Sequence, residues 1–585
     1  MLTTSPGAFG TVAYFSMEIG LQPEIPTYSG GLGVLAGDTL RSAADLGVPM
    51  VAVTLLHRQG YMRQHLDPLG NQMESPDLWN PEDILESLAP RVTVTLADRQ
   101  VQIRCWRYQI RGLSGHTVPV YFLDTALPEN SPFDQTITDN LYGGDQYYRL
   151  CQEVVLGIGG VALLHTLGYQ EHVIYHMNEG HSALLTLPLL EGQANNGSEA
   201  FPCETHVEAV RRRCIFTTHT PVPAGHDQFP WDLVHQVLGP ARTALLEAAR
   251  CCMEGALNMT YLALRFSRYI NGVAMRHGEI SVGLFPGYPI NAITNGVHAA
   301  TWTAPPLAEL YDRHLPEWRL DNFYLRYAIG IPWHEIQQAH LQAKQALLAA
   351  VAQRTGRHLA DKSLTIGFAR RATAYKRQDL LFTDLDRLRR LAQQVGPLQV
   401  VFGGKAHPQD EGGKDMIRRV FAAAQALADV VPVVYLENYD MALGKLLCAG
   451  VDLWLNTPLR PFEASGTSGM KAALNGVPSL SILDGWWVEG HVEHVTGWAI
   501  GDSSSGANDH GDDAASLYDK LERVILPLYY GRPERYALVQ RASIALNGSF
   551  FNTQRMLSQY VTNAYTECRP FAGNLKLPGL DPVDT

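Results

Sequence analysis

The sequence has few charged residues and no long apolar run, and both features narrow its class. Charged residues make up 18% of the 585 residues. No apolar run approaches the ~20 residues that a membrane-spanning helix needs, and the N-terminus lacks the basic and apolar regions of a secretory signal. The eight cysteines include no C-x-x-C pair, so neither a zinc site nor a disulfide framework is indicated. These absences predict a reduced, cytoplasmic protein with no membrane partner.

The net charge restricts the kinds of ligand that the protein can bind, and the length restricts the number of domains. A net charge of −12 argues against nucleic acid as a partner, so any bound anion needs a local basic pocket. Apolar residues make up 46% of the chain, which is ample core material. A chain of 585 residues is too long for one core, and two large domains are expected. The number of subunits is not given by the sequence, and a homo-oligomer is compatible with it.

Short apolar runs that are rich in β-branched residues alternate with helical patterns. This rhythm predicts an α/β chain of doubly wound, Rossmann-like units with buried parallel strands. The predicted strands lie within residues 48–56, 172–177, 213–219, 364–369, 398–404, 431–437, 451–456 and 478–483. The clearest predicted helices lie within residues 145–168, 333–356 and 440–450.

The rhythm breaks at residues 318–360, and we predict an N-terminal domain of residues 1–330 and a C-terminal domain of residues 331–585. Period-two alternation over about residues 91–123 predicts antiparallel hairpins inserted in the first domain. A final helical stretch is expected to pack back on that domain. Two such domains facing each other would leave a deep central cleft at the carboxyl ends of their strands, where ligands of such sheets bind.

The first predicted domain contains two sets of candidate binding residues. Gly30, Gly31 and Gly33 precede a helix whose N–H groups could face an anion or a sugar, or they make an ordinary tight turn. His219 and Asn295 could hydrogen-bond a ligand, or they are structural residues of a strand end and a turn.

A basic cluster follows the strand at residues 364–369. Basic runs are usually solvated, but guanidinium and ammonium groups at the end of a buried strand suit phosphate, and we favour a phosphate site. No GxxxxGK[ST] loop occurs in the chain, so the site is not a Walker loop. The cluster consists of Arg370, Arg371, Lys376 and Arg377.

The stretch EASGTSGMKAALNG, residues 463–476, predicts an anion site at the start of a helix. Lys471 follows one turn inside that helix, which is the unfavourable end of the macrodipole for a cation. One explanation is a lysine bonded covalently to an aldehyde cofactor whose phosphate the helix start holds. A lysine paired with Glu463 would explain the pattern equally well. The N–H groups and hydroxyls at the helix start belong to Gly466, Thr467, Ser468 and Gly469.

The segment RPFEASGTSGMKAALNGVPSLSILDGWWVEG resembles the pyridoxal-phosphate segment of the glycogen and α-glucan (maltodextrin) phosphorylases, usually E-A-S-G-T-G-N-M-K. The segments SGGLG, FTTHT, NGVAMRHGEIS, TNGVHAATW, RRATAYKRQDLL and VVFGGKAHP resemble other blocks of that family, in its order. The resemblance implies a GT-B pair of Rossmann-like domains of the short bacterial and archaeal type. Because the chain starts almost at its first strand, we expect none of the phosphorylation or nucleotide control of the animal enzymes.

The resemblance also implies a role for individual residues. Lys471 would carry pyridoxal 5'-phosphate as a Schiff base, and Tyr14 would lie against the cofactor ring. The cofactor phosphate would be held by Arg370, Gly466, Thr467 and Ser468. Inorganic phosphate would be bound by Arg371, Lys376 and the N–H of Gly31. The glucosyl unit would be bound by His219, Asn295, Glu463, Ser465, Gly466 and Leu32.

The implied reaction is retaining phosphorolysis of a terminal α-1,4-linked glucosyl unit of glycogen or maltodextrin by inorganic phosphate, which gives glucose 1-phosphate. The cofactor phosphate would pass a proton to the substrate phosphate. One departure is Ser468-Gly469, where the family has Gly-Asn. The alternatives are a nucleotide-sugar glucosyltransferase of the starch or glycogen synthase type, which has no use for Lys471 as a Schiff-base lysine, and a catalytically silent glucan-binding protein.

Overall fold

The structure, a computed structural model, describes residues 10–194, 201–222, 225–253, 255–501 and 510–566. These residues form two packed units. The first unit comprises the described residues within Met1–Tyr61, Pro76–Thr294 and Leu557–Thr585, and the second comprises Met62–Ser75 and Asn295–Met556. The predicted division into domains 1–330 and 331–585 stays a prediction.

The strands of the described residues are brief where they are parallel, whereas the antiparallel strands Glu86–Leu96 and Arg99–Arg111 are longer. In chain order they are β1 (Thr11–Phe15), β2 (Met50–Leu55), β3 (Arg63–Leu66), β4 (Gln72–Ser75), β5 (Glu86–Leu96), β6 (Arg99–Arg111), β7 (Thr117–Asp124), β8 (Val173–Asn178), β9 (Cys214–Thr217), β10 (Gln228–Pro230), β11 (Cys252–Met253), β12 (Ala256–Asn258), β13 (Tyr269–Gly272), β14 (Asn291–Ala292), β15 (Leu364–Ala369), β16 (Leu398–Gly403), β17 (Val433–Leu436), β18 (Leu453–Asn456), β19 (Ser479–Ile482) and β20 (Gly497–Ile500).

Helices separate most of these strands. In chain order they are α1 (Gly31–Leu46), α2 (Pro132–Gln135), α3 (Gln146–Val154), α4 (Gly160–Thr166), α5 (Thr186–Glu191), α6 (Glu204–Arg211), α7 (Trp231–Ala248), α8 (Met259–Arg265), α9 (Met275–Leu284), α10 (Ala299–Trp302), α11 (Pro305–His314), α12 (Trp333–Thr355), α13 (Leu385–Gln394), α14 (Glu411–Ala426), α15 (Met441–Gly450), α16 (Ser468–Leu474), α17 (Trp487–Gly490), α18 (His510–Lys520), α19 (Leu526–Gly531), α20 (Pro533–Ala542) and α21 (Thr553–Tyr560). Single π-helical turns follow α3, α18, α20 and α21.

The first unit is built on a nine-stranded sheet in the order β14-β13-β9-β8-β1-β2-β7-β6-β5. Its strands from β14 to β7 are parallel. The stretch whose alternation predicted hairpins forms β5, β6 and β7, which pair antiparallel at one edge. The direction in which the chain adds strands reverses between β1 and β8, so the carboxyl ends of these two strands are a topological switch point.

The second unit is built on a six-stranded parallel sheet in the order β17-β16-β15-β18-β19-β20. Counted along the chain from β15, this is the doubly wound order 3-2-1-4-5-6. Its switch point lies between β15 and β18, where Ile366 pairs with Leu453. Ligands of such sheets bind outside the carboxyl ends at this point.

The predicted fold class is confirmed, because all eight predicted runs are strands of these parallel sheets. They form β2, β8, β9, β15, β16, β17, β18 and β19. The predicted helix at residues 145–168 begins after Asp145, whose side chain accepts a hydrogen bond from the N–H of Tyr148. The predicted helix at residues 333–356 is α12, which ends at Gly356 in a left-handed conformation.

A search of the described residues for a helix that could span a membrane finds none of sufficient length and apolarity.

Candidate active site

The switch point of the second unit carries a buried group of charged side chains. Arg370 directly follows β15, and Lys376 ends a single 3-10 turn, Ala374–Lys376, just beyond it. Glu463 lies between β18 and α16. All three side chains are buried. The sequence predicted this position for the basic residues from the strand end that precedes them.

Glu463 joins these two cations through one oxygen. Its Oε2 accepts from Arg370 Nη2 at 2.5 Å and from Lys376 Nζ at 2.7 Å. Burial opposes the charged form of the carboxyl group, but the two cations outweigh burial and lower its pKa to about 2. The N–H of Glu463 donates to Asp484 Oδ2 at 2.9 Å, which fixes the backbone of the acid as well. We call Arg370, Lys376 and Glu463 the Glu463 cluster.

The Glu463 cluster is receptive to an anion. It holds two positive charges and one negative charge, so one positive charge stays uncompensated within it. In the part of the chain that the structure describes, Arg370 Nη1 and Ser465 Oγ are buried without a hydrogen-bond partner. Buried donors of this kind are rare in folded proteins, and these two are available to an acceptor group of a ligand. The donor set fits a phosphate group, which suits planar guanidinium and hydroxyl donors.

Lys471 lies one turn inside α16, as the sequence predicted. Its backbone N–H donates to the carbonyl of Thr467 at 3.2 Å. The side chain is buried, and Nζ lies 3.6 Å from the ring centroid of Trp302. A cation above an indole face is attracted by the ring quadrupole. The alternative that Glu463 balances this lysine is not what the structure shows, because Glu463 pairs with Arg370 and Lys376.

Asn475 holds the backbone of Lys471 against that of Trp302. Its side-chain amide donates to the carbonyl of Trp302 at 2.8 Å and to the carbonyl of Lys471 at 2.9 Å. Its Oδ1 accepts from the N–H of Ala304 at 2.7 Å. Helix α16 has only seven residues and no side-chain cap, so such tertiary contacts must stabilise it. Asn475 therefore fixes the part of α16 from which the Lys471 side chain extends.

The other predicted residues of the second unit have different surroundings. Arg371 is exposed, and no hydrogen bond or ion pair of its side chain is found among the described residues. Arg377 pairs with Asp513 at 2.7 Å and is therefore separate from the Glu463 cluster. Ser468 Oγ accepts from Trp454 Nε1 at 3.2 Å. Asn295 is buried, and its Oδ1 has no hydrogen-bond partner within the described ranges.

In the first unit, His219 lies just beyond β9 and contacts the last residue of β8 and the residue that follows it. Its Nε2 donates to Asn178 Oδ1 at 2.7 Å, and its backbone N–H donates to Glu179 Oε2 at 2.8 Å. Burial lowers the pKa of His219 to about 3, so the ring is neutral with its proton on Nε2. Burial also raises the pKa of Glu179. Among the described residues no hydrogen bond to Nδ1 is found, so this nitrogen of a neutral, fixed imidazole can accept from a ligand hydroxyl.

The predicted glycine turn forms the start of α1. Gly31 is the first residue of this helix, and a Cβ placed on it would meet no atom within 4 Å. Leu32 is half-buried on the same turn. Tyr14 is buried in β1, and its ring meets the His176 ring edge-on at 4.9 Å. The predicted contact of Tyr14 with a cofactor stays a prediction.

The sequence reasoning missed several residues that shape these sites. Glu179 has a φ of 74°, a strained conformation for a residue other than glycine that is typical of functional sites. Asn178 and Glu179 directly follow a predicted strand, so the rule that selected His219 would also have found them. Trp302 and Asn475 carried no such signal, because their contacts depend on tertiary packing. Among the described residues, no group of three or more His, Cys, Asp or Glu side chains could hold a metal ion.

Two doubly wound sheets, one of them with a buried cluster of charged side chains at its switch point, define an α/β protein. Comparison with known proteins gives the family. Residues 240–497 match the family described as carbohydrate phosphorylase. The chain is 38% identical over 600 residues to a maltodextrin phosphorylase of Thermococcus litoralis, over 95% of this chain and 70% of that protein.

Two further relatives agree with this match. The chain is 37% identical over 619 residues to a glycogen phosphorylase of Mycobacterium tuberculosis, over 95% of this chain and 70% of that protein. It is 33% identical over 613 residues to a glycogen phosphorylase of Aquifex aeolicus, over 95% of this chain and 86% of that protein. The chain belongs to the carbohydrate phosphorylase family.

Proposed function

We propose that the protein is an α-1,4-glucan phosphorylase, which transfers the terminal glucosyl unit of a maltodextrin or glycogen chain to inorganic phosphate with retention of configuration. The product is glucose 1-phosphate. The observation that carries this proposal is the buried Glu463 cluster at the switch point of the second unit, which also contains Lys471. Among the described residues, the guanidinium group of Arg370 in this cluster has one donor without a partner. The names of the relatives support the same activity.

The proposal assigns pyridoxal 5'-phosphate to α16 and its surroundings. Lys471 would hold the cofactor covalently through Nζ, and Arg370 with the backbone of Gly466, Thr467 and Ser468 would bind its phosphate. When bound, the cofactor supplies a phosphate group that exchanges a proton with the substrate phosphate. The free Nη1 of Arg370 supports this assignment, because it is a buried donor without a partner among the described residues.

The substrate assignments follow from charge and hydrogen bonding. Arg371 and Lys376 would neutralise inorganic phosphate, together with the N–H of Gly31, since two phosphate groups brought together repel unless cations compensate them. The glucosyl unit carries hydroxyls and needs neutral or acidic partners. We assign these roles to residues that are polar or lie on a turn: Leu32, His219, Asn295, Glu463, Ser465 and Gly466.

The activity is tested by incubating the purified protein with maltoheptaose, inorganic phosphate and pyridoxal phosphate. We expect phosphate-dependent formation of glucose 1-phosphate, measured by a coupled assay. No glucose 1-phosphate at saturating cofactor would contradict the proposal and leave a glucan-binding protein. Glucosyl transfer from a nucleotide sugar without cofactor would favour the synthase alternative, which the names of the relatives do not favour.

The cofactor assignment is tested on Lys471 itself. Borohydride reduction followed by peptide mapping is expected to find a pyridoxyl adduct on Lys471 in the native protein. Lys471→Ala should lose the adduct, the near-ultraviolet absorption and the activity, while α16 is retained because alanine favours helix. Lys445, which is exposed on α15, gives a matched control, and Lys445→Ala should retain all three. An adduct on another lysine would move the cofactor site.

A further inference from the structure

The carboxylate of Glu18 is buried against the glycine turn that begins α1. Its Oε2 accepts from the N–H of Ser29 at 2.6 Å and from the N–H of Gly30 at 3.3 Å. Its Oε1 accepts from Ser29 Oγ at 3.3 Å and from Tyr142 Oη at 2.9 Å. The side chain is 2% exposed. One carboxylate thus ties the two residues before α1 to a distant part of the first unit.

Helix α1 needs such a contact because it has no cap of its own. Its N-cap residue is Gly30, which has no side chain, and the first turn contains no acidic residue. The N–H groups at a helix start need acceptors, which a Ser, Thr, Asp or Asn at the N-cap usually supplies. Here Glu18, more than ten residues earlier in the chain, supplies an acceptor to the backbone at the helix start.

The glycines of this turn have two different surroundings. A Cβ on Gly33 would lie 2.7 Å from Glu18 Oε2 and 2.8 Å from Tyr28 Cβ, so Gly33 lets the turn close onto the carboxylate. A Cβ on Gly30 or Gly31 would meet no atom within 4 Å. The turn therefore packs on Glu18 along one side, while the space beside the Cα atoms of Gly30 and Gly31 is open to a ligand.

A second layer fixes Glu18. Tyr142, which donates to its Oε1, has the Arg149 guanidinium 4.5 Å above its ring. Arg149 in turn donates to Asp227 Oδ2 at 3.0 Å. Arg149 thus restrains Tyr142, and Tyr142 restrains Glu18. The position of the glycine turn therefore depends on Tyr142 and Arg149 as well as on Glu18.

We propose that Glu18 is a positioning residue for phosphorolysis, which holds the backbone of Gly31 and Leu32 in the geometry that binds the substrate. This inference rests on the proposed function, in which the N–H of Gly31 binds inorganic phosphate. Glu18 itself does not touch the substrate. Its contribution is to give the turn one conformation before the substrate arrives, so that binding does not have to order it.

The test compares Glu18→Ala with Glu18→Gln. The alanine variant removes the acceptor from both N–H groups, and we expect the KM for phosphate to rise about tenfold, the effect of losing a helix-capping acceptor. The amide oxygen of glutamine can still accept from both N–H groups, so Glu18→Gln should restore the KM to within about threefold of the native value. Glu24→Ala, an exposed position in the same loop, is the control.

Tyr142→Phe tests the second layer, because it removes only the hydroxyl that donates to Glu18. We expect a smaller rise in the KM for phosphate than in Glu18→Ala, and no added effect of Tyr142→Phe when Glu18 is already alanine. Full additivity of the two substitutions would show that Tyr142 does not act through Glu18.

The outcomes separate this inference from the proposed function. If the native protein makes no glucose 1-phosphate, the proposed function fails before Glu18 is tested. If the native protein is active and Glu18→Ala lowers the melting temperature but leaves the KM for phosphate unchanged, the role of Glu18 is structural only and the inference is overturned. An equal rise in KM in the alanine and glutamine variants would also overturn it.

Discussion

Arg370 and Arg371 are adjacent in the sequence but have opposite surroundings. Arg370 is buried and pairs with Glu463, whereas Arg371 is exposed. An exposed guanidinium contributes little to folding. The difference predicts that Arg370 is needed for both structure and chemistry, while Arg371 can be changed without loss of the fold.

Arg371→Ala is therefore expected to change phosphate binding and not stability. The KM for phosphate should rise about tenfold or more, since a charge-assisted hydrogen bond to phosphate is lost. The KM for maltoheptaose should change less. Initial-rate kinetics, with phosphate and maltoheptaose varied in turn, measure both KM values. Arg390→Ala, at an exposed position on α13, serves as the control. An unchanged KM for phosphate would place the anion site elsewhere.

Glu463 makes stability depend on pH in a direction that can be worked out. Arg370 and Lys376 outweigh burial and lower its pKa from 4.5 to about 2. The folded protein therefore holds the charged carboxylate more strongly than the unfolded chain does. This contribution is complete above pH of about 4.5 and is lost as the pH falls towards about 2.

Glu463→Gln should remove this contribution and leave two buried cations without their acid. We expect a loss of about 3 kcal/mol of unfolding free energy at pH 7. The difference from the native protein should shrink as the pH is lowered below about 4.5. Melting temperatures across a pH series measure this difference in stability. Glu534→Gln, at an exposed position, is the control. A difference that stays constant with pH would show that the charge of Glu463 is not the cause.

At the scale of elements, the sequence predicts strands better than it predicts contacts. The apolar runs around Val400 and Leu453 predicted β16 and β18 because a strand buried on both faces needs such a run. The position of Lys471 inside a helix followed from the glycine and hydroxyl residues before it. β13 and β14 were not predicted, because β13 is the run YING with only two apolar residues and β14 has only two residues.

The sequence predicts only those site residues that directly follow a predicted strand. Arg370 and His219 were found because each follows a predicted strand. The pairing of Glu463 with Arg370 spans 93 positions of the chain, and the contact of Lys471 with Trp302 depends on how α10 packs against α16. No local pattern contains such information, because long-range pairs are fixed by the packing of whole elements.

The departure Ser468-Gly469 from the family pattern has a packing partner in the structure. A Cβ on Gly469 would lie 2.7 Å from Trp486 Cζ2. On the other side of the same indole, a Cβ on Gly490 would lie 2.5 Å from Cζ3. Trp486 also meets Phe551 edge-on at 4.8 Å and is 1% exposed, so it has little room to move.

Gly469→Ala should therefore destabilise the protein, although Gly→Ala within a helix usually stabilises by about 1 kcal/mol. We expect a loss of about 1–3 kcal/mol from overpacking, measured as a shift in the denaturant midpoint. Trp486→Phe should relieve part of it, so the double variant should lose less than the sum of the single variants. Gly283→Ala on α9, where a Cβ meets no atom within 4 Å, is the control and should be neutral or stabilising. Stabilisation by Gly469→Ala would contradict this packing.

At the scale of the whole molecule, an acidic chain contains a locally basic site. The net charge of −12 repels anions in general, whereas the Glu463 cluster keeps one uncompensated positive charge. In the proposed function, the attraction of phosphate would therefore come from this local charge and not from the overall field. Salt screens the buried pairs of this cluster less than it screens surface charges.

The chain also returns to the first unit near its end. Tyr565 Oη hydrogen-bonds His176 Nδ1 at 2.9 Å, and Tyr560 Oη accepts from Asn271 Nδ2 at 2.9 Å. Burial lowers the pKa of His176 to about 3, so its ring stays neutral and can form this hydrogen bond at neutral pH. Residues at the end of α21 and in the turn that follows it thus complete the core of a sheet formed by the first half of the chain.

Tyr565→Ala is expected to loosen the first unit and leave the second unit unchanged. Removing a buried aromatic ring costs about 3–5 kcal/mol and leaves His176 without a partner for Nδ1. Hydrogen exchange measures each unit separately: amides of β8 and β9 should exchange faster in the variant, while amides of β15 and β16 keep their native rates. Tyr327→Ala, at a residue 57% exposed, should change neither. Equal acceleration in both sheets would mean that the two units unfold together, and unchanged β8 and β9 would mean that the returning segment does not support the first unit.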